Sequence, residues 1–266
     1  MTFAISFAVI ALSGLYTSLW GAFKDSPFER FKPATFPRSI YFSAAIFLVL
    51  YFLPFFRADL QALGLFQLFF LVMGVERFLA ELYKGFFRTE DQAKYFVPSR
   101  ITFFGRHVAS DALRYLAGAV LVLLVFASMI LKVRVVPFWG FWGTAYATGL
   151  LVSLGGAYKD APFEGFNPLK FQRSGAVLAL LSPLFYSLND PLAPVPLGFL
   201  IYMNGGLERF AIEYYKTYIQ RHRSGKFRPD LPRLREFDHT REKYHSLALV
   251  LIAGLVFLYL HDLGIL

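Results

Sequence analysis

Residues 21–39 read GAFKDSPFERFKPATFPRS and residues 156–174 read GAYKDAPFEGFNPLKFQRS. Twelve of the nineteen positions are identical, while the apolar runs on either side have diverged much further. A second block repeats at nearly the same offset: Glu76, Arg77, Phe78, Glu81, Tyr83 and Lys84 return as Glu208, Arg209, Phe210, Glu213, Tyr215 and Lys216. Charged residues kept in both copies while their apolar neighbours drift mark where the chemistry lies. The spacing divides the chain into two repeats, 1–132 and 133–266, joined at Val133-Arg134-Val135 without a Pro-, Gly- or Ser-rich linker.

The surroundings of the repeated blocks are oily. With 56% hydrophobic, 19% aromatic and only 17% charged residues in 266, the composition excludes an ordinary soluble domain. Long uncharged runs predict spans near 3–23, 39–56, 60–83, 112–131, 136–158, 174–189, 193–217 and 245–264, most close to the ~20 residues that cross a ~30 Å hydrocarbon core. The runs lack the alternation of a lipid-facing barrel strand, so the expected fold is an all-α integral membrane protein. It has eight transmembrane helices, arranged as two parallel four-helix repeats, because an even number of spans per copy sends both copies into the membrane in the same direction. The first run starts at residue 2 with no basic leader and reads as a retained helix rather than a signal peptide.

Eight spans leave both termini on one side and the loops 24–38, 84–114, 159–173 and 216–243 on the other. Those loops hold 22 of the 27 Lys and Arg residues. The positive-inside rule makes that face cytoplasmic and the termini extracytoplasmic, as in a bacterial inner membrane. The net charge of +9 is thus a one-sided collar facing an anionic leaflet, where each basic residue is worth about 1 kcal/mol. The basic run from Arg221 to Lys243 carries no nucleic-acid-reading motif, so membrane and anionic lipid are the expected partners and nucleic acid is not. No cysteine occurs and the five histidines show no ligand spacing, so no metal site and no cofactor are expected.

Within the second block the uncharged stretch Leu60–Val75 is sixteen residues, about 24 Å of helix, which puts the Glu-Arg pair near the bilayer boundary. Arg77, Glu81 and Lys84 share one helix face, as do Arg209, Glu213 and Lys216. An Arg held by a Glu one turn away still offers donors to a phosphate; an interfacial salt-bridge cluster that ends the helix is the competing reading. In the first block, Lys24-Asp25-x-Pro27-Phe28-Glu29 and Lys159-Asp160-x-Pro162-Phe163-Glu164, the proline among acids predicts the start of a short interfacial helix. Ser26-x-x-Glu29 is a capping-box pattern that the second copy lacks. The phosphate-binding candidates are therefore Lys24, Arg38, Arg77, Lys84, Lys159, Arg173, Arg209 and Lys216. The acid/base or catalytic candidates are Asp25, Glu29, Glu76, Asp160, Glu164 and Glu208. His107 and His239, 132 residues apart, are further acid/base candidates or polar helix starts.

The run Gly205-Gly206-Leu207-Glu208-Arg209-Phe210-x-x-Glu213, a basic loop with Pro229-Asp230 and the final span Thr240–Leu260 resemble the carboxy-terminal part of prolipoprotein diacylglyceryl transferase. So does Trp20-Gly21 with Asp25, Pro27 and Phe28, followed by Phe36-Pro37-Arg38-Ser39. The resemblance implies an arginine on a phosphatidylglycerol headgroup, by position Arg77 and Arg209. The family's Arg-x-Gly-Asn-Phe-x-Asn and His-Gly-Gly segments are missing. The implied role is thus work on a lipid headgroup, as a glyceryl, acyl or prenyl group transferase or a relative without catalysis, rather than ordinary prolipoprotein modification. Two other classes compete: a transporter with two pseudo-equivalent halves, and a non-catalytic scaffold subunit bound to a membrane-protein partner.

Overall fold

The computed structural model describes residues 2–93, 95–133, 138–188, 195–221 and 231–266; the side chains of Glu29, Phe138, 231–234, Glu236, Phe237 and His239 lie outside the described set. The fold is all-α. Its helices are α1 (Phe3–Glu29), α2 (Arg38–Phe52), α3 (Pro54–Gln61), α4 (Leu65–Leu82), α5 (Asp111–Ile130), α6 (Phe138–Glu164), α7 (Pro168–Tyr186), α8 (Leu197–Tyr214) and α9 (Leu231–Asp262). Among the described residues the strands are limited to two-residue ladders, Thr102–Phe103 with Arg106–His107 and Lys132–Val133 with Val195–Pro196.

The two copies fold alike around α4 and α8. In the first, α1 lies along α2 and α4; in the second, α6 lies along α7 and α8. Gly14 on α1 and Gly149 on α6 let the backbone approach the starts of α2 and α7, where a Cβ would meet Ser39–Ile40 and Ser174–Gly175. The central helices touch backbone to backbone at Gly74 and Gly206, the small-residue contact by which membrane helices pack closely. The last helix of each copy reaches the other: α9 packs on α1 and α4, and α5 packs on α8 as well as on α4 and Tyr83–Phe87 of its own copy.

The count of spans departs from the sequence reading. Among the described residues three segments, Phe3–Phe28, Asp111–Ile130 and Thr240–Asp262, are long and apolar enough to cross a membrane, and the bent pair α2 and α3 makes at most four, not eight. Two physical reasons apply. The expected span 39–56 is cut where Leu53 turns extended ahead of Pro54, bending the chain by 102° between α2 and α3, since the residue before a proline avoids the α region; the expected span 60–83 loses its start to α3, and α4 begins only at Leu65. The central helices, moreover, each carry three charged residues in eighteen, Glu76, Arg77 and Glu81 on α4 and Glu208, Arg209 and Glu213 on α8. Protein buries thirteen of the eighteen residues of α4 and twelve of the eighteen of α8. The outer helices are the opposite: Leu116, Leu123 and Leu124 on α5 and Val250 and Phe257 on α9 stand exposed, surface that suits hydrocarbon rather than water.

The proline of the first block does not start a new helix. α1 runs through Pro27 to Glu29, and α6 through Pro162 to Glu164. Each helix stops one residue later with a positive φ, Arg30 at 63° and Gly165 at 81°. There the amide N–H donates back to the carbonyls of Ser26 and Ala161.

Candidate functional site

Immediately after α4 and α8 the helix widens into a π-turn, Tyr83–Phe87 and Tyr215–Ile219. Such turns occur mostly as single insertions at functional positions. Lys84 and Lys216 sit on them. One α-turn earlier, Arg77 pairs with Glu81 at 2.7 Å and Arg209 pairs with Glu213. Lys84 reaches Glu81 at 3.4 Å, and Lys159 arrives from the second copy at 3.6 Å. Reciprocally, the charge of Lys24 in the first copy bears on Glu213 in the second. The two blocks therefore form one cluster where the copies meet, and Glu81 alone answers three cations.

Glu76 and Glu208 have a different environment. Both are buried, and each accepts a hydrogen bond from the serine that ends the repeated nineteen residues: Ser39 at 2.8 Å and Ser174 at 2.5 Å. These bonds tie α4 to α2 and α8 to α7. Glu76 Oε2 is buried with no hydrogen-bond partner among the described residues, and Glu76 lines a cavity.

That cavity has two adjoining chambers. An inner one of about 100 Å³ is lined by Tyr16, Trp20, Glu76, Arg77, Arg209 and Glu213, among others. An outer one of about 320 Å³ opens between Arg30, Phe31, Phe36, Glu81, Arg88 and Tyr95, at the lower end of the ~300–1,000 Å³ typical of ligand clefts. Lys24, Asp25, Arg38, Ser39, Arg77 and Lys84 line both. Together the chambers present eight cations and five carboxylates. The loop after the π-turn forms one wall, braced by Arg88 paired to Glu90, with Tyr95 Oη donating to Glu90 at 2.7 Å and Ser99 at 3.2 Å. Arg114, fully buried, donates to the Arg88 carbonyl at 3.1 Å and holds that wall to α5.

The candidates named from sequence thus divide. Lys24, Asp25, Arg38, Glu76, Arg77, Lys84 and Arg209 line the chambers, and Lys159 joins through Glu81. Arg173, Lys216, Asp160 and Glu208 occupy the equivalent positions of the second copy and line neither chamber; the Arg173 Nε is buried without a hydrogen-bond partner. Glu164 is exposed and bridges to Lys170 at 2.9 Å. His107 is exposed in its short ladder. Glu29 and His239 carry side chains outside the described residues. Among the described residues no group of three His, Asp or Glu is placed to hold a metal ion.

Several participants were missed in the sequence. Glu81 and Glu213 stood within the repeated block, yet their role as hubs depends on lysines that arrive from elsewhere. Ser39 and Ser174 were quoted at the end of the repeat, and only the packing of α2 on α4 gives them a partner. His245 gave no repeat signal at all; its Nε2 lies 3.0 Å from the Tyr214 hydroxyl and its ring stacks on Tyr218 at 4.5 Å. Compared with family models, curated proteins and solved structures, the chain matches none.

Proposed function

We propose that this chain is a polytopic membrane protein whose basic end binds the phosphate of an anionic lipid or lipid-linked phosphate in the two-chambered cleft. One observation carries the reading. Glu81 must answer Arg77, Lys84 and Lys159 together, and Lys24 and Arg38 line the same space with no ion pair within 4 Å among the described residues. Arg77, Lys84 and Lys24 are half-buried, and cations drawn partly out of bulk water with so little counter-charge are costly. An anion in the cleft removes that cost, and a lipid brings it from the adjoining leaflet.

In this reading the copies are parallel four-helix repeats about an axis along the membrane normal. The inner helices α4 and α8 are shielded from lipid by the others, and the basic end faces the cytoplasm of a bacterial inner membrane. If a glyceryl, acyl or prenyl group is transferred, Asp25, which lines both chambers, and Glu76, whose Oε1 alone is engaged by Ser39, are the carboxylates at the headgroup; the resemblance to prolipoprotein diacylglyceryl transferase points to the same class. The paired Ser–Glu bonds favour the scaffold reading for Glu76 and Glu208 alone. The transporter reading lacks a comparable observation, because the charges gather at one end rather than along a path.

Arg77→Ala and Arg209→Ala, singly and together, test the proposal when co-purified lipid is quantified by mass spectrometry and folding is followed by circular dichroism. The double variant is expected to stay helical and lose bound anionic phospholipid. Unchanged lipid content overturns the reading.

A further inference from the structure

The charge surplus in the cleft, together with the number of unmatched donors, says what kind of anion fits. Of the eight cations lining the chambers, Arg88 is paired with Glu90 and Arg209 with Glu213. Glu81 is shared by Arg77 and Lys84 within the cleft, and additionally by Lys159. Lys24 and Arg38 have neither an ion pair nor a side-chain hydrogen bond among the described residues, and they line both chambers. Taking every carboxylate of the lining as ionised and setting aside Lys32, which has an interaction of its own, five negative charges face seven positive ones.

A phosphodiester, the linkage of most membrane lipids, brings a single negative charge and two terminal oxygens, leaving half of that surplus uncovered. A terminal phosphate brings about −1.5 to −2 charge at neutral pH and three strong acceptor oxygens. Arg77, Arg38, Lys24 and Lys84 form a donor set on that scale, with guanidinium forks suited to two oxygens at once. The inner chamber, at about 100 Å³, suits a compact phosphoryl group, and the outer one leaves the remainder of the molecule room to extend toward Phe31 and Phe36.

We infer that the cleft selects a terminal, dianionic phosphate, as a phosphomonoester or diphosphate end group, over a phosphodiester, with Lys24 and Arg38 as the residues that discriminate. This rests on the proposed binding of a lipid phosphate. The test reconstitutes the full chain in phosphatidylcholine nanodiscs doped with equal mole fractions of phosphatidic acid or phosphatidylglycerol and measures the lipid retained by native mass spectrometry. Phosphatidic acid is expected to be retained about tenfold over phosphatidylglycerol, one decade of affinity. In the doubly substituted K24Q/R38Q chain that preference should collapse; Arg38 is exposed and neither residue has a structural bond to lose.

Equal retention of the two anionic lipids, both above phosphatidylcholine, overturns this inference and leaves the proposed function standing. Retention of neither overturns both. A preference that survives in K24Q/R38Q assigns it to the basic collar and overturns the role of the cleft. Titration of lipid-stripped protein with inorganic phosphate and pyrophosphate identifies the source: binding of the free ions that the double substitution abolishes assigns a soluble phosphate compound, and its absence beside phosphatidic acid selectivity assigns a lipid headgroup. Both results keep the dianionic class.

Discussion

Burial pushes the Lys84 ammonium down to about 8 from its ordinary 10.5, and Glu81 beside it only partly opposes the shift. A folded-state value below the unfolded one means that the folded chain holds fewer protons between the two. This lysine therefore costs nothing above 10.5 and weighs fully against folding once the pH falls through about 8. A phosphate in the cleft supplies counter-charge and moves the value back up. Labelling by an amine-acylating reagent, followed at Lys84 by mass spectrometry, should reach half its maximum near pH 8 in lipid-stripped protein and at a higher pH once anionic lipid is bound; coincident curves would place the lipid elsewhere. A second residue stands out at the same end. Arg30 ends α1 at φ 63°, ψ 159°, a region that is essentially glycine's own, and the second copy has Gly165 there. Arg30→Gly should stabilise the protein by about 1 kcal/mol, visible as a rise in Tm in detergent. An unchanged or lower Tm would mean that the arginine's contacts outweigh its backbone strain. The charged half of the site was legible because repetition singles out ions, whereas a serine at the end of a repeat acquires meaning only when α2 brings Ser39 within 2.8 Å of Glu76.

Adjacent glycines on α8 ask opposite things of the helix. A Cβ on Gly206 would collide with the Phe70 carbonyl of α4, while one on Gly205 would meet nothing within 4 Å. Gly206→Ala should destabilise by roughly 1–3 kcal/mol through overpacking, and Gly205→Ala should be neutral or stabilising by up to ~1 kcal/mol through helix propensity. Thermal unfolding of both variants checks this; similar Tm values would mean that α4 and α8 do not meet at these residues. From sequence the pair read only as part of a family-like motif, because the facing backbone belongs to a segment some 130 residues away. The same limit explains other departures at this scale. Apolar runs announced the positions of the helices. They did not show that Pro54 would break one span into two, that Pro27 would be carried inside α1, or that a π-turn would follow α4 and α8.

Across the whole molecule, hydropathy marked eight runs by their apolar centres, yet α4 and α8 each carry a Glu-Arg pair and a further Glu within eighteen residues, most of them buried by protein. They are covered by each other and by α1, α2, α6 and α7, and an exchange of helices adds to this: α5 from the first repeat touches α8, and α9 from the second lies on α4 and α1. A tie secures the second exchange at the end remote from the cleft. The backbone N–H of Phe66, in the first turn of α4, donates to Asp262 Oδ2 at 2.7 Å, so a nearly buried carboxylate of α9 caps the positive end of the central helix of the other repeat. Asp262→Ala removes the cap and the charge together and should cost about 1–2 kcal/mol; Asp262→Asn keeps an acceptor and should cost less. Arg77 lies eleven residues further along α4, about 16 Å away. Both variants should therefore lower Tm while retaining wild-type amounts of anionic lipid. Loss of lipid from folded Asp262→Ala protein would show instead that the two ends of α4 are mechanically coupled, and that the cleft depends on how firmly α9 holds the opposite end of the bundle.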